Sequence, residues 1–140
     1  MKKLPLLIAI GALCAALPAT AETTHPSSSH RCVPHKVAYR ASGALVSSSL
    51  TKNTDGTYSG TLVVHVTRTN HHARAGKGND VIYTLTSARV RFGHRVTNPA
   101  PAGSRVNVKG SITTLAKRCD QTGFTPTVTV HRVEIHAARM

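Results

Sequence analysis

The sequence predicts a single all-β domain of five strands. Apolar and polar residues alternate with a period of two in five segments, as in strands with one buried and one wet face. Glycine, proline, asparagine and aspartate separate these segments, and no stretch repeats apolar residues at helical spacing. A barrel and a small sandwich both fit this pattern. We prefer the barrel, because glycines and phase slips interrupt the strands as a curling sheet requires.

The first 21 residues are typical of a cleaved export signal. Lys2 and Lys3 precede an apolar run over residues 4–17, and Ala19-Thr20-Ala21 fits the rule for signal peptidase. The run is shorter than the roughly 20 residues that span a bilayer. We therefore expect a signal peptide over residues 1–21 and no transmembrane segment after cleavage. The mature protein is expected to be secreted, periplasmic or in the cell envelope.

Two cysteines remain after that cleavage, Cys32 and Cys119. An even pair in an exported protein predicts a disulfide, and no C-x-x-C spacing suggests a redox role. The bond would close a loop of 87 positions, the difference of the two numbers. Chain entropy gives such a loop about 4–5 kcal/mol of stabilisation.

The first half of the mature chain predicts a tether and two strands. Residues 22–35 are rich in Ser, Thr, Pro and His and predict a disordered tether; the domain is expected over residues 36–138. Strand one begins near Lys36 and bends at Ser42-Gly43. Residues 53–56, Asn-Thr-Asp-Gly, form a hairpin turn. Strand two follows with the cleanest alternation, in which these residues share one face: Tyr58, Gly60, Leu62, Val64 and Val66.

The second half predicts three more strands. Residues 70–79 are a polar loop, and strand three changes phase near Thr86-Ser87, which predicts a bulge. A proline-containing irregular connection over residues 93–103 leads to strand four, in which Gly110 breaks the apolar row of Val106, Val108 and Ile112. Strand five changes phase near His131-Arg132, which predicts another bulge.

These features resemble the OB-fold, a five-stranded, partly open barrel. A long bent first strand, a hairpin after it and a glycine-kinked fourth strand carry the resemblance over about residues 36–136. An OB-fold usually has a helix between strands three and four, where this chain has its proline-containing loop, so a small sandwich stays the alternative. Residues 70–74 and 117–124 also resemble small exported bacterial proteins of unassigned function, and this resemblance implies no activity.

The strong positive charge favours polyanions as partners. The chain has 18 Lys and Arg against 5 Asp and Glu, and without Lys2 and Lys3 the mature form has 16 against 5, a net +11. Nucleic acid and anionic cell-wall polymers are the expected classes; a solubilising surface is the alternative. The predicted anion-binding residues, with Arg132 as a further candidate, are Arg74, Lys77, Arg89, Arg91, Arg105, Lys109, Lys117 and Arg118. On an OB-like barrel the ligand is expected on the face of strands two and three.

Aromatic residues are only 4% of the chain, and Tyr58, Tyr83 and Phe92 lie in apolar rows. Phe124, in a loop, is the one ring expected to be exposed. Single-strand binding proteins usually stack bases on such rings. The sequence therefore favours sequence-independent anion binding over specific recognition of single strands.

Other chemistry is less well supported. Nine histidines include His71 and His72 as weak metal candidates, which would point to opposite faces if they lay on a strand end. No cofactor is expected. The few carboxylates form no catalytic pair, and no G-x-S-x-G or phosphate-loop motif occurs. We therefore expect a non-catalytic binding module; an exported structural or protein-binding module is the alternative, and a histidine-based metal binder the third hypothesis.

Overall fold

The structure is a computed structural model that describes residues 32–140. The predicted signal peptide and residues 22–31 of the predicted tether lie outside the described residues. The elements are β1 (His35–Lys52), β2 (Tyr58–Thr69), a 3₁₀ helix (His71–Gly76), β3 (Asp80–Phe92), β4 (Arg105–Thr114) and β5 (Thr127–His136). The prediction of an all-β fold with five strands is confirmed.

The five strands close into a ring in the order β1-β2-β3-β5-β4. β1 is long enough to pair twice: residues 35–44 pair with β4 and residues 41–52 pair with β2. All pairs are antiparallel except β3 with β5, which are parallel and joined by only four residue pairs. The ring is therefore an OB-like arrangement with uneven pairing rather than a regular barrel.

Both predicted bulges are present. Tyr58 pairs with Ala88 but Gly60 pairs with Leu85, which leaves the extra residue of β3 at Thr86-Ser87. On β5, Lys109 pairs with Arg132 and Gly110 with Val130, so His131 is the extra residue. These bulges explain the phase changes, because each one lets the apolar side of the strand keep facing inward.

The glycine interruptions lie where neighbouring backbones come very close. A Cβ on Gly110 would stand 2.0 Å from the carbonyl oxygen of Thr129, and one on Gly43 would stand 1.8 Å from that of His65. Any other residue would collide with backbone at these places. The glycine kinks predicted in strands one and four are thus required by the curvature of the ring.

The inward side chains form one core. Within it, the hydroxyl groups of Tyr39 and Tyr83 are 2.8 Å apart and their rings meet edge to face. Burial is the main cause that raises the pKa of Tyr83. Val46 of β1 does not belong to this core. It is 43% exposed, because a register shift between Leu45 and Ser47 turns its side chain outward.

The connection between β3 and β4 is irregular, whereas the one between β2 and β3 contains a short helix. Residues 93–104 contain no helix, as expected, and they pack on β1: Leu45 N donates to Ser104 O and Gly103 N donates to Leu45 O, both at 2.8 Å. The predicted polar loop after β2 instead contains the short 3₁₀ helix, whose Ala73 is buried. Asn70 begins that helix by accepting a hydrogen bond from Ala73 N, a local signal typical of asparagine at a helix start.

The predicted disulfide joins Cys32 to Cys119 with 5.5 Å between the Cα atoms. It fastens the chain ahead of β1 to the loop between β4 and β5. No helix within residues 32–140 is long and apolar enough to cross a membrane.

Candidate anion-binding face

Four cationic side chains lie directly opposite one another on the outside of the ring. The register pairs Arg89 with Arg132, Arg132 with Lys109, and Lys109 with Arg40, on β3, β5, β4 and β1 in turn. We call these four residues the cation row. Neighbouring strands are about 4.8 Å apart, so the row extends over roughly 14 Å.

Two further outward rows run beside the cation row. In the first row, the residues that pair in turn across the five strands are Arg91, Glu134, Asn107, Ser42 and Arg68. In the second row they are His136, Arg105 and Ala44. We call the cation row together with Arg68, Arg91, Arg105 and His136 the cationic face. The face follows from alternation within each strand and from a register that puts outward basic residues of all five strands side by side.

Among the residues that the structure describes, Glu134 has the one carboxylate that lies within the rows of this face. Glu134 Oε1 lies 3.4 Å from Lys109 Nζ and 3.5 Å from Arg132 Nε. Arg132 Nε is also buried without a hydrogen-bond partner within residues 32–140. Like charges directly opposite across strands are destabilising. The face therefore contains repulsion that its one carboxylate only partly offsets.

Two adjoining grooves lie over β1 and β4. The first has a volume of about 270 Å³ and is lined by Arg40, Arg68, Asn107 and Lys109 among others. The second, about 360 Å³, shares Arg68 and Asn107 with the first and adds the cationic side chains Arg105 and Arg139 with His136. No Asp or Glu lines either groove. Guanidinium groups with amides beside them are well suited to phosphate or sulfate oxygens.

A third groove opens at the other end of the cation row, between β3 and β5. It has a volume of about 530 Å³ and no acidic lining residue. We call it the seam groove, and it is lined by Thr57, Thr86, Ser87, Arg89, Thr129, Val130, His131 and Arg132. The seam groove exists because β3 and β5 are paired only from Arg89 and Arg132 onward.

The structure brings together half of the predicted anion-binding residues. Arg89, Arg91, Arg105 and Lys109 share the cationic face. The others are exposed on two connections outside the rows: Arg74 and Lys77 in and after the 3₁₀ helix, Lys117 and Arg118 beside Cys119. They were predicted as cations of the loops between strands two and three and between strands four and five.

Sequence reasoning missed Arg40, Arg68 and Arg139. Arg40 could have been found, because it stands between the inward Tyr39 and Ala41 and so points outward by alternation. Arg68 could not, because the register shifts opposite Ser42-Gly43 and breaks the period just before it. Arg139 follows the last strand, where no periodicity remains.

The face of β2 and β3, where a ligand was expected, is not cationic. Residues 58–65 and 80–86 contain no Lys or Arg. Val63 there lies opposite Ile82, which is 68% exposed. His65 Nδ1 lies 2.7 Å from Asp80 Oδ1, and most of the other outward side chains are hydroxyls. We call the outward residues of these two segments and of residues 46–51 of β1 the neutral face. These two segments therefore lack the cations that a polyanion would need there, and the place of the ligand stays a prediction.

The two histidine candidates lie side by side in the predicted polar loop between β2 and β3. His71 and His72 lie on the 3₁₀ helix, not on a strand end, and their rings are in edge contact with 5.3 Å between centroids. Within residues 32–140, no three His, Cys, Asp or Glu side chains are grouped so that they could hold a metal ion. The pair thus gains no third ligand from the described part of the chain.

Phe, Tyr and Trp do not occur in the rows of the cationic face, whose one aromatic ring is the imidazole of His136. Tyr58 and Phe92 are half-buried against each other with 5.6 Å between ring centroids. Phe124 is half-buried in its loop rather than fully exposed. The face therefore has charge and hydrogen-bond donors but none of the large rings on which bases usually stack.

Two loop carboxylates are held within their own turns. Thr57 donates its N–H and hydroxyl to Asp55, and these bonds lower the pKa of Asp55. Hydrogen bonds from Thr122 lower the pKa of Asp120 in the same way. Both stay ionised at neutral pH and satisfy local backbone, so they add no ion pair to the cationic face.

Comparisons of the chain with protein-family models, with curated proteins and with solved structures find no match.

Proposed function

We propose that this protein is an exported, non-catalytic binding module whose cationic face holds polyanions with a phosphodiester backbone. The observation that carries the proposal is the cation row: of its four directly opposed cations, Lys109 and Arg132 share one carboxylate at 3.4 and 3.5 Å. Export would place the module in an oxidising compartment, with which the Cys32–Cys119 disulfide is compatible.

The physical reason is that a bound phosphate chain relieves the repulsion in the row. Each arginine can offer two parallel N–H groups to phosphate oxygens, and the counterions released from the polyanion add a favourable entropy. Nucleic acid and glycerol-phosphate wall polymers share this backbone. Because the rows hold no Phe, Tyr or Trp, binding should depend weakly on base identity.

A salt titration with two matched variants tests the proposal. The row variant replaces Arg40, Arg89, Lys109 and Arg132 by glutamine; the loop variant replaces Arg74, Lys77, Lys117 and Arg118 and so has the same net charge. Binding is followed by the fluorescence anisotropy of an internally labelled oligothymidylate and of a glycerol-phosphate oligomer. For single-stranded DNA, the slope of log K against log salt falls by about 0.7 for each lost phosphate contact.

We expect the row variant to lose about three units of slope and the loop variant less than one. Equal losses in the two variants would mean that total charge, not the row, governs binding. Wild-type protein that binds neither polymer at low salt would refute the proposal.

A second candidate, protein binding through the neutral face, is favoured by one observation. Ile82 is 68% exposed and lies opposite Val63, with Val46 also exposed on the neighbouring strand. Sedimentation velocity at increasing concentration compares wild type with Ile82→Ser. If this face joins two copies, wild type self-associates and the variant does so less; monomers throughout would contradict that contact.

A further inference from the structure

The cation row stops at the seam groove. Arg89 is its last member, and the outward residues that precede it on β3, such as Thr84 and Thr86, are uncharged down to Asp80 at the strand start. A polyanion that turns from Arg89 towards the start of β3 therefore meets no further cation on that strand, whereas Arg91 follows in the other direction. The seam groove lies on the uncharged side of Arg89, where an end of the bound chain can be held.

The lining of the seam groove contains seven side chains that can donate hydrogen bonds. Arg89 and Arg132 are paired across its closed end, and His131 lies in the adjoining bulge. Thr86, Ser87 and Thr129 add three hydroxyl groups.

The nearby acidic and basic side chains leave the donors of the seam groove available to an anion. Glu134 is 3.5 Å from Arg132 Nε but is shared with Lys109. Asp55 is held by Thr57 within the β1–β2 turn. His131 Nε2 lies 3.2 Å from Ser111 Oγ, on the β4 side of its ring.

Ser87 is held in an unusual backbone conformation at this groove. Its φ is +56°, a left-handed value that costs a non-glycine residue about 1–2 kcal/mol. Its N–H donates to Ser59 Oγ at 3.3 Å, which ties the bulge to β2. Glycine would fit this backbone better, so the serine hydroxyl is present at a cost to stability.

We propose that the seam groove binds the terminal phosphate monoester of a polyanion. A monoester has a charge of about −1.5 to −2 at neutral pH and three acceptor oxygens, whereas an internal phosphodiester has one charge. Two arginines and three hydroxyls match the monoester better than the diester. This inference rests on the proposed function, since the cation row holds the rest of the chain.

The experiment measures a ratio of affinities. Three internally labelled oligothymidylates of equal length, with a 5′-phosphate, a 3′-phosphate or no terminal phosphate, are titrated at fixed moderate salt. We expect wild type to bind one or both phosphorylated forms about five- to tenfold more tightly than the unphosphorylated form. A glycerol-phosphate oligomer with and without a terminal phosphate forms the second arm and distinguishes the source of the monoester.

The variants locate the effect. Arg89→Gln should bring the ratio close to one, whereas Arg68→Gln, in the grooves over β1 and β4, should weaken all ligands and leave the ratio unchanged. Ser87→Gly should lower the ratio about twofold or more although it removes backbone strain, and it serves as the variant that is expected to fold at least as well as wild type.

Each outcome is decisive. A wild-type ratio near one, with binding to all three oligonucleotides intact, overturns this inference and leaves the proposed function standing. Loss of the ratio in Arg68→Gln as much as in Arg89→Gln overturns the assignment to the seam groove. No binding to any of the oligomers is the failure of the proposed function itself.

Discussion

The cationic face and the neutral face belong to one closed sheet and share one core, yet their outward residues differ completely. β1 contributes to both: Arg40 lies in the cation row, whereas Ser47, Ser49 and Thr51 lie on the neutral face. Inward residues are apolar along both halves of this strand, with Tyr39 and Leu45 buried. Folding alone would be served by any polar outer residue, so neither the core nor the closure of the ring accounts for this difference in charge.

The largest expected loss of stability concerns a close backbone contact under the cationic face. Gly110→Ala, under the cationic face, forces a Cβ to 2.0 Å from Thr129 O. We expect a loss of about 3 kcal/mol in the free energy of unfolding, because backbone of the neighbouring strand has to move. Urea unfolding followed by circular dichroism measures it.

Gly56→Ala is the matched control. Gly56 has a φ of +84°, but a Cβ added there would meet nothing within 4 Å, so only backbone strain of about 1 kcal/mol is expected. Equal losses for the two variants would mean that the ring relaxes easily at Gly110 and that its curvature is not fixed by this contact.

A medium effect tests the bond that joins the two halves through the core. The hydroxyls of Tyr39, beneath the cationic face, and Tyr83, beneath the neutral face, are 2.8 Å apart. Tyr83→Phe leaves the buried Tyr39 hydroxyl without this partner, and we expect a loss of about 1–2 kcal/mol at neutral pH. Thermal unfolding of the variant beside wild type measures the loss.

The same tyrosine gives a pH dependence with a definite sign. Burial raises the pKa of Tyr83 in the folded protein, while in the unfolded chain it titrates near 10. Above that pH the unfolded state has lost the proton that the folded state keeps, so stability is full below about pH 10 and falls as pH rises further. Wild type should lose up to about 1.4 kcal/mol per pH unit from this group, and Tyr83→Phe correspondingly less. Parallel pH profiles for the two proteins would show that Tyr83 titrates normally in the fold.

The features that could be predicted from the sequence are those that depend on residues close together in the chain. Alternation within a strand predicts which side chains point outward, and it placed Arg89, Arg91, Arg105 and Lys109 correctly on the outside. Phase changes predicted the bulges at Thr86-Ser87 and near His131. These are local consequences of the period-two pleat.

The cation row itself could not be predicted, because it depends on pairing between distant segments. Arg89 meets Arg132 only because β5 lies between β3 and β4 and runs parallel to β3. Nothing in the order of residues along the chain gives that neighbour relation. The expectation of a ligand on β2 and β3 came from the resemblance to the OB-fold and not from the charges of this chain, since residues 58–65 and 80–86 contain no Lys or Arg.

The smallest expected effects come from removing one carboxylate from each face. Glu134→Gln removes the one acid shared by Lys109 and Arg132, whereas Asp80→Asn removes the acid that pairs with His65 on the neutral face. Both variants gain the same net charge. We expect each to lose less than about 1 kcal/mol of stability, as partly exposed ion pairs do.

Their affinities for a phosphodiester chain should nevertheless diverge. Glu134→Gln frees two members of the cation row and should bind oligothymidylate about three- to fivefold more tightly at moderate salt, because the ligand no longer competes with a fixed carboxylate. Asp80→Asn changes only the distant field, which salt screens over about 10 Å at 0.1 M, and should change affinity less than twofold. Anisotropy titrations of the two variants side by side measure the difference. Equal gains in affinity would mean that the polyanion senses the total charge of the molecule, and the distinction between the faces would then have no part in binding.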